Sequence, residues 1–249
     1  MIHDLYKICI IRFYKLTMSS QKVMKPRDFS ASGISYGDVR PMGTTGAKQC
    51  YVNYEGKNEP IMLHTPKMRL PYGIGKYVEE GKPTKYSLDM SFSGMDDDPK
   101  IKEFYEALND LDEKIIADTK KNSLQWLRKK TVSEDVARTL YTPSIKLAKD
   151  KDTGEVTDKY PPTFKAKIPC WDDNFTCTVW DHERNKIEGD FTEQVSKGQS
   201  VVAIVKCARV WFASGKYGVT WQVDQLKLDK PKEITGYSFT EDSDEEEDL

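Results

Sequence analysis

Lysine and tryptophan side chains occupy the polar sides of two neighbouring predicted strands. In residues 163–168 apolar residues alternate with Lys165 and Lys167, so the two lysines share one face. The same alternation in residues 174–181 places Trp180 opposite the apolar side. Lysines can follow phosphates and a tryptophan can stack on a base, so this face is a candidate contact for nucleic acid. The alternative is that Trp180 packs beneath the N-terminal half of the chain.

Two longer predicted strands near the end of the chain add further basic and aromatic residues. They cover residues 200–212 and 217–228, and residues 213–216 form the turn between them. The candidate ligand contacts are Arg209 and Trp211 in the first strand and Lys216 and Tyr217 at the turn. Trp221 shares one face of the second strand with Val219 and Val223, which predicts a core position.

A third candidate segment, residues 67–77, is rich in basic and aromatic residues. Pro71, Gly73 and Gly75 interrupt it, so we predict a loop without regular structure. Lys76 and Tyr77 at its end are expected at the margin of a binding groove.

Interleaved basic and aromatic side chains are typical of proteins that bind single strands. Stacking contributes about 1–3 kcal/mol per base and requires no particular sequence, while phosphate contacts make the affinity depend on salt. We therefore predict a protein without enzymatic activity that binds single-stranded DNA independently of sequence in replication, recombination or repair. RNA binding would use the same residues. The main alternative is a protein-interaction module, such as a histone or basic-protein chaperone, in which the acidic end of the chain binds cationic partners.

The end of the chain carries a dense negative charge. The whole sequence has 38 Lys and Arg against 40 Asp and Glu, but residues 239–249 contain seven acids and no base. Without these seven acids, 38 bases stand against 33 acids, so the body has a net charge of about +5. A run of like charges stays solvated and can compete for a basic groove, although many acidic tails serve only solubility. The predicted regulatory residues are Glu241, Asp242, Asp244, Glu245, Glu246, Glu247, Asp248 and Leu249.

The predicted elements give a mainly β fold with a helical insertion (α+β) and an OB-fold barrel as its core. After the helices at about residues 99–140, the order is three strands, a connector and two strands, which is typical of an OB-fold. We predict a flexible leader over residues 1–47, of which 1–17 read as an extension before a better start at Met18. A domain follows over residues 48–229, then a linker and acidic tail over 230–249. Whether residues 50–92 belong to the barrel, or residues 141–229 form it alone, is left open.

Several classes of site have no sequence support. Five dispersed cysteines and three distant histidines argue against a zinc site and favour reduced thiols inside a cell. The sequence contains no phosphate-binding glycine loop, no H-E-x-x-H and no nucleophile elbow. We therefore predict no catalytic residue, metal or cofactor. No stretch approaches the roughly 20 apolar residues of a membrane span, so no membrane partner is expected.

Residues 160–169, Tyr-Pro-Pro-Thr-Phe-Lys-Ala-Lys-Ile-Pro, and 175–181, Phe-Thr-Cys-Thr-Val-Trp-Asp, carry a resemblance to a known family. The chain resembles the single-stranded DNA-binding proteins of nucleocytoplasmic large DNA viruses, which are related to the podophage single-stranded DNA-binding type. The likeness covers roughly residues 45–249 and includes the Gly-Lys-Tyr-Gly turn at 215–218.

The resemblance implies an OB-fold core and sequence-independent binding of single strands. It also implies an acidic tail that occupies the DNA groove when DNA is absent and that contacts replication proteins such as a polymerase, helicase or primase. The implied location is the host nucleus or a cytoplasmic viral replication site. A homo-oligomer is compatible with the sequence, which does not fix the oligomeric state.

Overall fold

The computed structural model describes residues 22–43, 46–56 and 59–230, and these form a mainly β protein with two α-helices. The helices are α1 (Pro99–Leu127) and α2 (Glu134–Leu140). The strands are β1 (Val23–Met24), β2 (Ile34–Tyr36), β3 (Arg40–Pro41), β4 (Lys48–Tyr54), β5 (Ile61–His64), β6 (Met68–Arg69), β7 (Ile74–Tyr77), β8 (Lys85–Ser91), β9 (Tyr141–Thr142), β10 (Ile145–Lys146), β11 (Thr163–Ile168), β12 (Cys170–Trp171), β13 (Asn174–Phe175), β14 (Thr178–Trp180), β15 (Lys186–Ile187), β16 (Ser200–Ala213) and β17 (Lys216–Leu228).

The long hairpin of β16 and β17 organises the main sheet. Alternating buried and partly exposed residues along β16 produce a strand with one core face, and β17 pairs with it antiparallel along nearly its whole length. The pairing runs from β16 to β6, β8, β11 and β17 and returns to β16. Strands from both halves of the chain therefore share one sheet.

Helix α1 begins where the sequence predicts it. The Asp98 side chain accepts a 2.9 Å hydrogen bond from the Lys100 amide, and Pro99 occupies the first turn, where its missing N–H costs nothing. The helix is 29 residues long and ends at Leu127, and the next residue, Arg128, caps it with a φ of 57° in the left-handed region. The helix includes part of residues 123–130, which the sequence predicted as a separate short helix. Ser133 caps α2 as expected.

The core lies between α1 and the inner side of the sheet. Phe104 of α1 meets Phe164 of β11 edge to face at 5.3 Å between ring centroids, and Trp126 lies 5.3 Å from Phe212 of β16. These contacts anchor both ends of α1, so the inserted helix is part of the same hydrophobic core as the sheet.

Three segments differ from the sequence predictions. Residues 22–43 and 46–47, predicted as leader, form β1–β3 and short turns, and Met24 and Ile34 are buried because they pack on the sheet. Residues 67–77, predicted as a loop, contain β6 and β7. The strand predicted over 174–181 is divided into β13 and β14. Residues 1–17 and the acidic segment 239–249 lie outside the described residues.

Within the described ranges, neither helix combines the length and apolar character that crossing a membrane requires.

Candidate nucleic-acid interface

One side of the sheet carries most of the predicted contact residues, and we call it the outer face. Its side chains alternate with core residues and point away from the core. One transverse row follows the strand pairing from Gly75 on β7 through Ser87, Lys167 and Gln222 to Lys206 on β16. The charged and aromatic members of the outer face are Tyr51, Tyr77, Lys85, Lys165, Lys167, Lys206, Arg209 and Trp211.

A groove of about 630 Å³ lies on the outer face where β4, β16 and β17 meet. Arg40, Lys206 and Arg209 line it together with Tyr51, which is 49% exposed. Asn53, Gln222 and Asp38 add polar groups. A ring surface beside three cations can stack on a base while the cations contact phosphates.

Arg209 lines this groove and is hydrogen-bonded to the neighbouring strand. It pairs with Tyr51 across β16 and β4, and its Nη1 donates a hydrogen bond to Gln49 Oε1. Its Nε is buried and has no hydrogen-bond partner among the described residues.

Lys167 lies among other cations. Burial, the Arg209 guanidinium and Lys85 together lower the pKa of the Lys167 ammonium. Because these positive charges repel one another, a bound anion would be stabilised between them. This part of the outer face is therefore electrostatically suited to a phosphate.

Lys165 has an acidic neighbour. Its Nζ lies 3.1 Å from Asp89 Oδ2 on the adjacent strand β8, and both residues belong to the outer face. A phosphate that binds Lys165 has to compete with this carboxylate.

The aromatic residues Trp211 and Tyr77 lie at opposite ends of the outer face. Trp211 pairs with Gln49, and its indole N–H donates to the Val219 carbonyl at 3.3 Å. A Cβ at Gly218 would lie 2.8 Å from the Thr142 carbonyl oxygen and 3.1 Å from the Trp211 ring, so the glycine lets both β9 and this ring lie close to β17. Tyr77 is 58% exposed and holds the Lys85 ammonium 5.6 Å from its ring centroid.

The other predicted contact residues lie away from the groove. Trp180 is half-buried and pairs with Lys227 on the outer side of the sheet, but it lies five residues along β17 from Gln222, which corresponds to roughly 16 Å. Lys76 points to the other side of β7, where its Nζ lies 5.9 Å from the centre of the Tyr86 ring. Lys216 is exposed at the end of the β16–β17 hairpin.

Tyr217 requires a correction, because the structure places it in the core. It is 0% exposed, it stacks on Phe212, and its hydroxyl donates a 3.0 Å hydrogen bond to the Ala137 carbonyl of α2. The tight hairpin turn consists of Ser214 and Gly215 alone, so Tyr217 is already inside β17 and faces inward.

Four residues of the groove and outer face were not among the sequence candidates: Arg40, Tyr51, Lys85 and Lys206. Tyr51 could have been found, because it alternates with Cys50 and Val52 in a predicted strand and therefore faces outward. Lys85 and Lys206 alternate with apolar residues in the same way. For Arg40 the sequence gives no comparable pattern.

A family model described as a family of unknown function (DUF5871) matches residues 98–241. No curated protein matches the chain. Among solved structures, the chain is similar to the single-stranded DNA-binding protein from bacteriophage Enc34 in complex with single-stranded DNA. The TM-score is 0.45 at 15% identity, and the match covers 80% of this chain and 98% of that one. It is also similar to gp2.5, a single-stranded DNA-binding protein encoded by bacteriophage T7, with TM-score 0.43, 14% identity and coverage of 73% and 98%.

Proposed function

Because the chain belongs to a family of unknown function (DUF5871), we propose its function from the outer face: it binds single-stranded DNA independently of sequence. The observation that carries the proposal is the groove in which Arg40, Lys206 and Arg209 surround the exposed ring of Tyr51. Cations and an accessible aromatic ring are the two components of single-strand binding.

The arrangement favours a single strand over a duplex. A stacking contact needs an unpaired base, and in a duplex each base face is covered by its neighbours. Lys167 on β11 and Lys206 on β16 flank Gln222 in one row across the sheet, so a strand that crosses this row can place phosphates against both. This supports binding through the backbone and the base faces, with little dependence on sequence.

The ring of strand pairings β16–β6–β8–β11–β17 supports the further proposal that the core is an OB-type barrel. On this basis we place the protein, as a non-enzymatic factor, in DNA replication, recombination or repair. The resemblance in residues 160–181 motivates a viral setting, in the host nucleus or at a cytoplasmic replication site.

The acidic residues 241–248 are proposed to compete with DNA for the outer face and to contact replication proteins when DNA displaces them. The support is charge complementarity: seven acids follow a body with a net charge of about +5. Deleting residues 239–249 should tighten DNA binding at low salt, and unchanged affinity there would exclude the competition.

The central test is a titration of labelled oligo-dT with the Lys165→Ala/Lys167→Ala double variant. Since each phosphate contact to a single strand contributes roughly 0.7 to the slope of log affinity against log salt, losing Lys167 and the Asp89-paired Lys165 should reduce that slope by about 0.7–1.4. The matched control is Lys100→Ala/Lys102→Ala, which removes two exposed lysines from the first turn of α1. If the outer-face variant behaves as the control does, the assignment fails.

Competition experiments separate the other functions. Oligo-dT and oligo-U compared as competitors distinguish DNA from RNA preference. A histone pull-down without any measurable binding of oligo-dT would instead indicate the basic-protein chaperone.

A further inference from the structure

A second basic site lies at the turn of the β16–β17 hairpin. A pocket of about 200 Å³ is formed between this hairpin and the C-terminal end of α1, and we call it the hairpin pocket. Its rim carries four cations: Lys48, Arg128, Lys129 and Lys216. Its apolar walls include Trp126 and Phe212, and its lining contains no acidic residue.

The four cations are not neutralised within the described part of the chain. None of them lies within 4.0 Å of a carboxylate oxygen there. Lys48 donates a 2.6 Å hydrogen bond to the Gln125 carbonyl at the end of α1, so it has a structural role. Burial and the nearby Arg128 guanidinium lower the pKa of Lys48, which shows that the two cations are close enough to repel each other.

The hairpin pocket adjoins the outer face. Trp211 and Gln49 are paired on the outer face, and the next pair along the same two strands, Phe212 and Lys48, lines the pocket. Successive residues of a β-strand point to opposite sides of the sheet. A single DNA strand that passes around the end of the hairpin therefore leaves the outer face and reaches the hairpin pocket. The outer face and the hairpin pocket therefore meet at this end of the sheet.

The size and lining of the pocket limit its ligand. It is smaller than the ~300–1,000 Å³ of pockets that enclose whole small molecules. Cations at the rim and apolar walls suit one phosphate with the sugar attached to it.

We propose that the hairpin pocket binds a phosphate–sugar unit of the same single DNA strand, beyond the stretch held by the outer face. The inference rests on the proposed function and extends its site around the hairpin. Arg128 and Lys129 contact the phosphate, Lys216 guides the strand over the turn, and Lys48 keeps the end of α1 in place.

The test compares short and long oligo-dT. A strand of about 6 nucleotides, near the lower limit for an OB-fold site, occupies only the outer face, whereas one of about 20 nucleotides also reaches the pocket. For Arg128→Gln/Lys129→Gln we expect about five- to tenfold weaker binding of the long strand and unchanged binding of the short one. The salt slope for the long strand should fall by roughly 0.7–1.4, which corresponds to one or two phosphate contacts.

The matched control is Lys100→Gln/Lys102→Gln, which removes the same charge from the other end of α1, about 40 Å away at 1.5 Å per residue. Equal behaviour of the two double variants overturns the inference. So does a pocket variant that binds DNA more tightly than wild type only while residues 239–249 are present, because the pocket would then hold the acidic segment. If the wild-type protein binds neither strand, the proposed function itself fails.

Discussion

Lys165 and Asp89 face each other across strands β11 and β8, with the ammonium nitrogen 3.1 Å from a carboxylate oxygen. The pair is partly exposed, so its net contribution to stability is small. On a surface that we propose to bind phosphates, the carboxylate instead reduces the attraction that Lys165 offers to DNA.

Replacing Asp89 by Asn should therefore increase DNA affinity. The change removes a negative charge and leaves Lys165 free for a phosphate, so we expect about two- to tenfold tighter binding of oligo-dT at low salt. Fluorescence anisotropy across a salt series measures both the affinity and its slope. Asp110→Asn, on the exposed side of α1, removes the same charge elsewhere and should have little effect. Equal gains in the two variants would mean that only net charge matters.

Tyr51 is the groove residue expected to stack on a base. Tyr51→Ala should weaken oligo-dT binding by about 1–3 kcal/mol, because the ring supplies the stacking surface beside Arg209. Tyr51→Phe keeps the ring and should retain most of the affinity. The salt slope should be unchanged in both variants, since no phosphate contact is removed. A parallel loss in the Phe variant would show that the hydroxyl, and not stacking, is responsible.

Arg209 shows why alternation alone did not define the outer face. Strict alternation from the buried Cys207 would place Arg209 inward as well. A register shift between Cys207 and Arg209 reverses the alternation, so Lys206 and Arg209 both face outward. The sequence pattern does identify Lys165 and Lys167, because β11 pairs regularly with β8 throughout its length. Bulges depend on the pairing of distant strands, and the local sequence does not show where they occur.

Tyr217 illustrates a turn that could have been predicted more closely. Ser214 and Gly215 both have positive φ, as a two-residue hairpin turn requires, and a Ser-Gly pair between two apolar strands is compatible with that turn. With the shorter turn, the alternation of β17 begins at Lys216, and Tyr217 falls on the inner side.

The core position of Tyr217 has a direct consequence for stability. Tyr217→Phe removes the hydrogen bond from the hydroxyl to the Ala137 carbonyl, which still accepts from the Tyr141 amide, so we expect a loss of about 0.5–1.5 kcal/mol in the free energy of unfolding. Urea denaturation measures this loss, and oligo-dT affinity should not change. Reduced DNA affinity with unchanged stability would instead indicate that Tyr217 contacts the DNA.

The buried carboxylate of Asp112 should make stability depend on pH. It accepts hydrogen bonds from the Tyr141 hydroxyl at 2.6 Å and from the amide and hydroxyl of Ser144 at 2.7 Å, which join α1 to β9 and the residue before β10. Burial outweighs these bonds and raises the pKa of Asp112 to about 6, from an ordinary value of 3.8. The folded protein therefore holds this proton more tightly than the unfolded chain.

The sign follows from the difference in bound protons. Between about pH 4 and pH 6 the folded state binds more protons at this site, so the contribution of Asp112 to stability is present below pH 4 and is lost as pH rises through 6. The loss should be at most about 3 kcal/mol. We expect the Asp112→Asn variant to lack this pH-dependent loss, so the difference in free energy of unfolding between wild type and variant should change between pH 4 and pH 7 in urea denaturation.

The control is Asp110→Asn, two residues away on the exposed side of α1, which should follow the wild-type profile. An Asp112→Asn profile parallel to that of the wild type would show that Asp112 titrates normally in the fold.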